Sequence, residues 1–346
     1  MTDQSVLPGD EPGFQYTSTA SVAEIATKLS SARSILILTH AKPDGDALGT
    51  SLALHRGLRQ VGVSSSVLLA GPIDPNLGSL KKDVDTVDRV EDAGLPHDAP
   101  DLGVVVDTGA WNQLEPFGEW LRARRDQTVG IDHHARGGDV ASMRHIDVTC
   151  ASATQALVPI LDALQVDISR DHIAEALFVG LATDTGWFRF SNAGPKVYEL
   201  AARLMEAGAD KDAIFARIEQ NSSKARMDMQ GRALMSLRLI NDDSIALMHL
   251  TPADFAASGA RPESLAGIVN MPMEIGSVRA SILLVEFDSG LTKVSFRSKP
   301  ATDSSSFVDV NELAARFGGG GHVHAAGARI PSSIAEAEKT LLAGIG

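Results

Sequence analysis

Residues 34–60 read SILILTHAKPDGDALGTSLALHRGLRQ. The stretch begins with a compact apolar run, continues through a polar loop, and ends in a segment whose apolar residues recur at helical spacing. This order predicts a buried strand, a loop and a helix. Short apolar strands that alternate with helices predict an α/β fold, in which a mostly parallel sheet carries helices on both faces. Similar strand-like runs follow at residues 66–70, 103–107 and 128–132.

The remaining patterns divide the chain into parts. Residues 1–18 are rich in Pro, Gly, Asp and Ser without hydrophobic periodicity, so we expect a flexible tail there. Residues 19–210 contain the strands above and a helical middle, and residues 211–240 are predicted to form a helical linker. Alternating strand and helix candidates over residues 241–346 predict a second, smaller α/β domain.

The composition is that of a folded, acidic protein. The chain has 346 residues, of which 44% are hydrophobic and 22% charged, and this fits roughly two globular domains. Its formal net charge of -13 argues against a long nucleic-acid track, but it is compatible with a short anionic substrate. Cys150 is the single cysteine, and we find neither a signal peptide nor an apolar stretch of about 18 residues. We therefore expect a cytoplasmic protein without disulfides or a membrane anchor.

Acidic residues and histidines cluster where the predicted strands and one helix end. Because ligands collect at the carboxyl ends of parallel strands, we expect these clusters to meet at one edge of the sheet. Singly, each has another interpretation, since PDGD is a common turn sequence, DTG can cap a helix, and adjacent histidines are often surface residues. Together they predict a metal site. The clusters are His40 with Asp44 and Asp46, Asp107 in VVDTG, Asp132, His133 and His134 in IDHH, and Asp184 in ATDTG.

The types of these residues indicate which ions and which reaction to expect. Carboxylates and histidines without a cysteine ligand suit Mn²⁺ better than a structural zinc, with Mg²⁺ or Co²⁺ as substitutes. The number of ligands is sufficient for two ions. Two such ions can share a carboxylate, deprotonate a bridging water and hold phosphoryl oxygens during in-line attack. The sequence therefore predicts phosphoester hydrolysis.

The segments HAKPDGDALGT, VVDTG, IDHH and ATDTG resemble, in this order, the motifs of the DHH phosphoesterase superfamily, which includes RecJ exonucleases and manganese pyrophosphatases. The resemblance implies that Asp107 bridges the two ions, that Asp132 orients a histidine, and that His134 contacts the phosphate and stabilises the transition state. It assigns the first ion to His40, Asp44 and Asp107, and the second to Asp46, Asp107, His133 and Asp184.

A glycine run, FGGGGHVHAAG at residues 317–327, has two interpretations. It is either a flexible loop or tight turn before a closely packed helix, or an anion site formed by backbone amides at a helix start, with His322 as a further donor. Upstream, KVSFRSK supplies Arg297, which can contact phosphate through two hydrogen bonds. The pair resembles the C-terminal domain that accompanies the DHH domain in short-substrate nucleases. This resemblance assigns the substrate's nucleotide to Arg297, Ser298, Gly319, Gly320, Gly321 and His322.

Within the superfamily the chain is most similar to the nanoRNase type, the bifunctional oligoribonucleases and 3′-phosphoadenosine 5′-phosphate (pAp) phosphatases. It lacks the SRKK-type basic motif of manganese pyrophosphatases and the length of RecJ enzymes. The resemblance implies hydrolysis of RNAs of a few nucleotides to nucleoside 5′-monophosphates, and of pAp to AMP and phosphate. It also implies a homodimer.

Two other functions stay open from the sequence. One is a phosphodiesterase for cyclic di-AMP or linear dinucleotides. The other is a regulatory module that binds nucleotides without turnover, against which the complete ligand set argues.

Overall fold

The apolar run at residues 34–38 forms the central strand of a parallel sheet. The computed structural model describes residues 14–71, 73–82, 84, 86–87, 100–265, 267–287, 290–300 and 308–345. The strands of the first sheet are β1 (Ser34–Leu38), β2 (Ser64–Leu68), β3 (Thr86–Val87), β4 (Leu102–Val106), β5 (Thr128–Asp132) and β6 (Met143–Ile146). Their order is β3-β2-β1-β4-β5-β6, and every neighbouring pair is parallel.

Helices cover both faces of this sheet, as the sequence predicts. Ile35 and Ile37 of β1 join one hydrophobic cluster, whereas Leu36 and Leu38 join another. Because alternate residues of a strand point to opposite faces, both faces of the sheet are buried. The helices described in this unit are α1 (Val22–Ser31), α2 (Gly45–Gln60), α3 (Gly118–Arg122), α4 (Ala153–Ala163), α5 (Ile173–Asp184), α6 (Pro195–Glu206) and α7 (Lys211–Ile218).

The strand order places the candidate site at the middle of the sheet. β1 has β2 on one side and β4 on the other. The order in which successive strands are added to the sheet therefore reverses at β1. In open parallel sheets such a reversal leaves a crevice at the carboxyl ends of the strands. His40 follows β1, Asp107 follows β4, and Asp132 ends β5. The topology therefore brings three of the predicted clusters to one edge.

The second unit is built on a mixed sheet, which confirms the predicted fold class. Its strands are β7 (Arg238–Ile240), β8 (Ile245–Leu250), β9 (Ala280–Glu286), β10 (Thr292–Ser298), β11 (Gly320–His322) and β12 (Ala325–Ile330), in the order β11-β12-β10-β9-β8-β7. β8 and β9 are parallel, and the other pairs are antiparallel. Its helices are α8 (Lys224–Met235), α9 (Pro252–Ser258), α10 (Val310–Ala315) and α11 (Ile334–Ile345). Among the described residues, no helix has the length and apolar character of a membrane span.

The segment predicted as a helical linker at residues 211–240 is helical, but its two helices belong to different cores. The chain divides into the units Met1–Asn221 and Ser222–Gly346. Ile214 of α7 is buried in the core of the first unit. Met229 and Ala233 of α8 are buried with strands of the second unit. The segment ends in β7, an edge strand of the second sheet.

The prediction of a flexible tail is wrong for residues 14–18. Tyr16 is buried, with 9% of its surface exposed. The hydroxyl of Ser18 donates a hydrogen bond to the carbonyl of Ile146 in β6 and accepts one from its amide. These contacts fix the segment against an edge strand. Residues 1–13 of the predicted tail lie outside the described residues.

Candidate metal centre

Helix α2 begins within the PDGD loop. Asp44 caps this helix, because its Oδ1 accepts hydrogen bonds from the amides of Asp46 and Ala47 at 3.1 Å. Asp46 lies in the first turn and is 1% exposed. Gly45 lies between them, where a Cβ would fall 2.6 Å from Cγ2 of Thr183 in α5. The close packing of α2 on α5 therefore presents one exposed and one buried carboxylate to the crevice.

Asp107 lies between two histidines. Its Oδ2 is 3.5 Å from Nε2 of His40, and its Oδ1 is 3.5 Å from Nε2 of His133. The backbone of Asp107 has a φ of 60°, in the left-handed region that Asp tolerates better than most residues. Its amide donates to the carbonyl of Ile131 in the neighbouring strand. One buried carboxylate thus faces two imidazoles through different oxygens.

Three further carboxylates complete the cluster. Oδ1 of Asp44 lies 3.8 Å from Nε2 of His40. Nε2 of His133 lies 3.4 Å from Oδ2 of Asp184 and 3.9 Å from Oδ2 of Asp46. The structure therefore brings together all six ligands predicted from the sequence: His40, Asp44, Asp46, Asp107, His133 and Asp184.

Backbone carbonyls orient both central histidines. Nδ1 of His40 lies 3.0 Å from the carbonyl oxygen of Ala41, and Nδ1 of His133 lies 3.4 Å from that of Cys150. Since a carbonyl can only accept a hydrogen bond, each Nδ1 carries a proton. In the neutral ring, Nε2 then keeps its lone pair toward Asp107. This orientation is typical of a histidine that binds a metal ion.

The acidic groups are crowded enough to repel one another. Burial, followed by repulsion from Asp107 and Asp184, raises the pKa of Asp46 well above its usual 3.8. Burial and Asp107 also raise the pKa of Asp184, to about 6, although His133 lowers it. Burial lowers the pKa values of the histidines, but hydrogen bonds and charges of the carboxylates outweigh it and raise the pKa to about 10 for His40 and about 9 for His133. A divalent cation would displace the histidine protons and offset the repulsion, so this donor set fits such an ion.

Asp132 forms a separate pair with His134. Oδ1 of Asp132 lies 2.7 Å from Nδ1 of His134 and accepts hydrogen bonds from the amides of His133 and His134. Oδ2 accepts a hydrogen bond of 2.8 Å from the hydroxyl of Tyr16. Burial raises the pKa of Asp132, but the hydrogen bonds from His134 and Tyr16 outweigh it and lower the pKa. Asp132 is therefore a carboxylate that holds the imidazole of His134 by Nδ1, while that side chain stays 51% exposed.

Two residues that contact these groups, Tyr16 and Thr154, are not among the predicted site residues. Tyr16 lies in the segment that lacks periodicity, where the aromatic pair Phe14 and Tyr16 is the available signal. Thr154 donates hydrogen bonds to Asp46 from its amide and its hydroxyl. Its place in the first turn of a predicted helix gave no signal of this long-range contact.

In the second unit, Arg297 and Ser298 of β10 and the glycine run of β11 lie on either side of β12. Ala325 pairs with Arg297 on one side and with His322 on the other, so the three positions form one cross-strand row. Ser298 is buried, and its hydroxyl lies 2.9 Å from Nδ1 of His324. The side chain of His322 lies outside the described residues.

The glycine run does not lie at a helix start in the described residues, so the expected position of the backbone amides at a helix start is wrong. Gly320 and Gly321 belong to β11, which pairs with β12. A Cβ at Gly321 would lie 2.5 Å from the carbonyl oxygen of Ala325, and one at Gly319 would collide with the carbonyl of Gly327. The glycines therefore allow close pairing of backbones, and the amide of Gly321 already donates to Asn311.

Profiles of two known families match the two units of the chain. The profile of the DHH family, N-terminal domain, matches residues 34–181, and that of the DHHA1 domain matches residues 244–345. The bifunctional oligoribonuclease and PAP phosphatase NrnA of Thermus thermophilus is 31% identical over 297 residues, which cover 86% of this chain and 84% of the relative. The protein of the same name from Bacillus subtilis is 24% identical, over 89% and 93% of the two chains.

Two solved structures share the fold. An exopolyphosphatase-related protein from Bacteroides fragilis superposes with a TM-score of 0.83 at 23% identity, covering 96% of this chain and 97% of its own. An exonuclease RecJ bound to manganese superposes with a TM-score of 0.53 at 16% identity, covering 94% and 93%. At these identities the superpositions support the architecture and not a particular substrate.

Proposed function

This chain belongs to the DHH family of phosphoesterases, and we propose that it hydrolyses RNAs of a few nucleotides to nucleoside 5′-monophosphates and pAp to AMP and phosphate. The observation that carries the proposal is Asp107, whose two carboxylate oxygens face His40 and His133 at 3.5 Å each. A carboxylate in this position can be shared by two ions. The relatives named oligoribonuclease and PAP phosphatase match most of the length of this chain.

In this proposal the ligands form two sets that share Asp107, which lies 3.5 Å from both His40 and His133. We assign His40 and Asp44 to one ion, and Asp46, His133 and Asp184 to the other. Carboxylate oxygens and imidazoles favour Mn²⁺ as the ion at both positions, with Mg²⁺ or Co²⁺ as substitutes. Held by these residues, two such ions would supply activation of a water molecule for attack and neutralisation of charge on the phosphoryl group.

The Asp132–His134 pair supplies the main protein contact to the phosphoryl group in this proposal. Because Nδ1 of His134 is held by Asp132 at 2.7 Å, its proton stays on that nitrogen in the neutral ring. The pKa of His134 is raised, first by this hydrogen bond. The ring therefore accepts a second proton readily, and its exposed edge can donate a hydrogen bond to a phosphoryl oxygen as charge develops.

We assign recognition of the substrate's nucleotide to the second unit. Arg297 is half-buried, and burial lowers the pKa of its guanidinium because the group is partly desolvated. A desolvated guanidinium gains strongly from pairing with phosphate. Ser298 follows it in β10, and the glycine strand β11 lies one strand further along the sheet, beyond β12. The proposed contacts are those of Arg297, Ser298, Gly319, Gly320, Gly321 and His322.

A product time course tests the proposal. Purified protein in Mn²⁺ is incubated separately with pAp, with the dinucleotide pApA, with a short RNA and with cyclic di-AMP, and products are separated by ion-exchange chromatography. We expect turnover of pAp and of both linear RNAs, abolished by a chelator and restored by Mn²⁺. Preference for cyclic di-AMP would replace the proposed substrates, and no turnover with Mn²⁺, Mg²⁺ or Co²⁺ would overturn the enzyme proposal.

We further propose that the protein acts in the cytoplasm, where its free Cys150 stays reduced.

A further inference from the structure

Tyr16 occupies a slot formed by two loops of the candidate site. Gly109 closes the VVDTG motif, and Gly137 follows the IDHH motif by three residues. A Cβ at Gly137 would lie 2.6 Å from Cζ of Tyr16, and one at Gly109 would lie 2.5 Å from Cε2 of the same ring. Any larger residue at either glycine would therefore collide with the tyrosine. The phenol fits because both loops lack a side chain there.

The segment around Tyr16 is fixed along the edge of the first sheet. The amide of Thr19 donates to the carbonyl of Arg144 at 2.9 Å, and the amide of Arg144 donates to the hydroxyl of Thr19 at 2.8 Å. The amide of Ile146 donates to the hydroxyl of Ser18 at 2.8 Å. Arg144 and Ile146 belong to β6, an edge strand of the sheet. These contacts determine the direction from which Tyr16 enters the slot.

The hydroxyl of Tyr16 donates a hydrogen bond to one oxygen of the fully buried carboxylate of Asp132. Oδ1 of Asp132 faces the amides of His133 and His134 and Nδ1 of His134. Among the described residues, the hydrogen bond to Oδ2 comes from Tyr16 alone. A buried carboxylate oxygen without a donor is costly, and its carboxylate would turn toward other donors. Tyr16 thus fixes the rotation of Asp132, which in turn fixes the ring of His134.

We propose that Tyr16 is a positioning residue for the reaction, because it holds Asp132 in the orientation that aims His134 at the phosphoryl group. The inference rests on the proposed function, since it requires that His134 contacts substrate. It adds to the site a residue from the N-terminal segment, 116 positions before Asp132. Tyr16 contacts neither substrate nor metal ligand in this role, and it acts through the carboxylate alone.

Tyr16→Phe tests the inference, because it removes the hydroxyl and keeps the ring that fills the slot. We expect kcat for pAp to fall about tenfold, as is usual when a hydrogen-bonding partner behind a functional group is lost. KM and Mn²⁺ affinity measured by calorimetry should stay within about twofold, since no ligand changes. Tyr198→Phe is the matched control, because Tyr198 is the other tyrosine of the sequence and its exposed hydroxyl donates to a carbonyl, that of Phe188, with no other hydrogen bond among the described residues. It should match the wild type in all three values.

The nitrogen spectrum of His134 provides a readout that does not depend on turnover. In protein labelled with ¹⁵N-histidine, Tyr16→Phe should shift the Nδ1–H signal of His134, whereas Tyr198→Phe should leave it unchanged. An unchanged signal together with unchanged kcat would overturn the inference. If the wild type hydrolyses none of the substrates, the proposed function fails, and the His134 signal still decides whether Tyr16 orients this ring.

A second variant tests the contact between Tyr16 and Asp132 by changing a residue of the slot that holds the tyrosine ring. Gly137→Ala should displace the tyrosine ring and lower kcat at least as much as Tyr16→Phe does. In a Tyr16→Ala background the slot is empty, so adding Gly137→Ala should change kcat by less than about twofold. Equal losses from Gly137→Ala in both backgrounds would mean that Gly137 acts independently of Tyr16 and would contradict the inference.

Discussion

Oδ1 of Asp46 accepts two hydrogen bonds from Thr154, one from its amide and one from its hydroxyl, each of 3.0 Å. The two residues are 108 positions apart in the sequence. The amide of Ala153 donates to the other oxygen of Asp46 at 2.6 Å. Asp46 therefore lies at the N-terminus of α4, where free amides and the helix dipole stabilise a negative charge. This contact opposes the burial and repulsion that raise the pKa of Asp46.

Thr154→Val should weaken metal binding at the set that contains Asp46. Valine preserves the shape of threonine but removes the hydroxyl donor, so we expect about tenfold lower Mn²⁺ affinity. Calorimetric titration with Mn²⁺ measures the effect. Thr27→Val is the control, because the hydroxyl of Thr27 bonds to a carbonyl on the exposed side of α1. Identical titrations for Thr154→Val and the wild type would show that the hydroxyl does not support the carboxylate.

Gly180→Ala should destabilise the protein and also weaken Mn²⁺ binding. Gly180 lies inside α5, where a Cβ would fall 2.6 Å from Oδ1 of Asp46 and against the side chain of Thr154. Overpacking of this kind costs about 1–3 kcal/mol in free energy of unfolding. Gly231→Ala is a matched control inside α8, because a Cβ there meets no atom within 4 Å. It should raise the free energy of unfolding by about 0.5–1 kcal/mol, and urea unfolding of both variants distinguishes the two effects.

The first sheet and the ligand positions could be predicted because both are encoded locally. A buried parallel strand is a short apolar run, and the residue after it lies at the carboxyl edge whatever the rest of the chain does. The positions of His40 and Asp107 can therefore be predicted from the apolar runs that precede them. Tyr16 cannot be found in this way, because the contact of Tyr16 with Asp132 spans 116 positions and its segment has no regular pattern.

The errors in the second half have a different physical cause. The segment that forms α8 is mostly polar, with Met229 and Ala233 as its buried residues, so its sequence does not identify the core that buries it and favours a linker. The strand AAGARI at β12 is rich in small residues, which have weak strand preference. Its pairing with β11 is determined by close backbone approach at Gly319 and Gly321, a tertiary effect that the local sequence does not show.

Arg297→Ala should raise the KM for pAp about tenfold and change kcat by less than about twofold. A guanidinium that binds the nucleotide contributes equally in the ground state and the transition state, so its loss appears in KM. Arg261→Ala, which alters an exposed arginine of the same unit, should have no effect. Steady-state kinetics measures both constants. A change in Mn²⁺ affinity for Arg297→Ala would mean that the residue acts at the metal centre instead.

Glu175→Gln should lower stability at neutral pH by about 2 kcal/mol, between the values for exposed and buried ion pairs. Glu175 accepts hydrogen bonds from Lys82 at 2.6 Å and Arg217 at 2.7 Å. Burial raises the pKa of Glu175, but these two bonds outweigh it and hold the pKa below its usual 4.5. The stabilisation by Glu175 is therefore present above pH 4.5. It is lost as the pH falls through the lower pKa that Glu175 has in the folded state. Urea unfolding across this range should show the variant and wild type converging in acid, whereas Glu206→Gln, at an exposed position, should follow the wild type throughout.

Asp107→Asn should remove most activity while preserving the fold. Asparagine tolerates the left-handed backbone of this position, where φ is 60°, so the strand end should keep its shape. Its amide offers one oxygen, and the NH₂ group that replaces the other cannot bind a cation, so the ligand shared by the His40 and His133 sets is lost. We expect kcat for pAp below about a tenth of the wild-type value and a bound Mn²⁺ content reduced from two ions per chain. Asp162→Asn, which breaks an exposed ion pair with Arg203, should retain both. Full metal content with residual activity above that level would show that Asp107 is not a bridge.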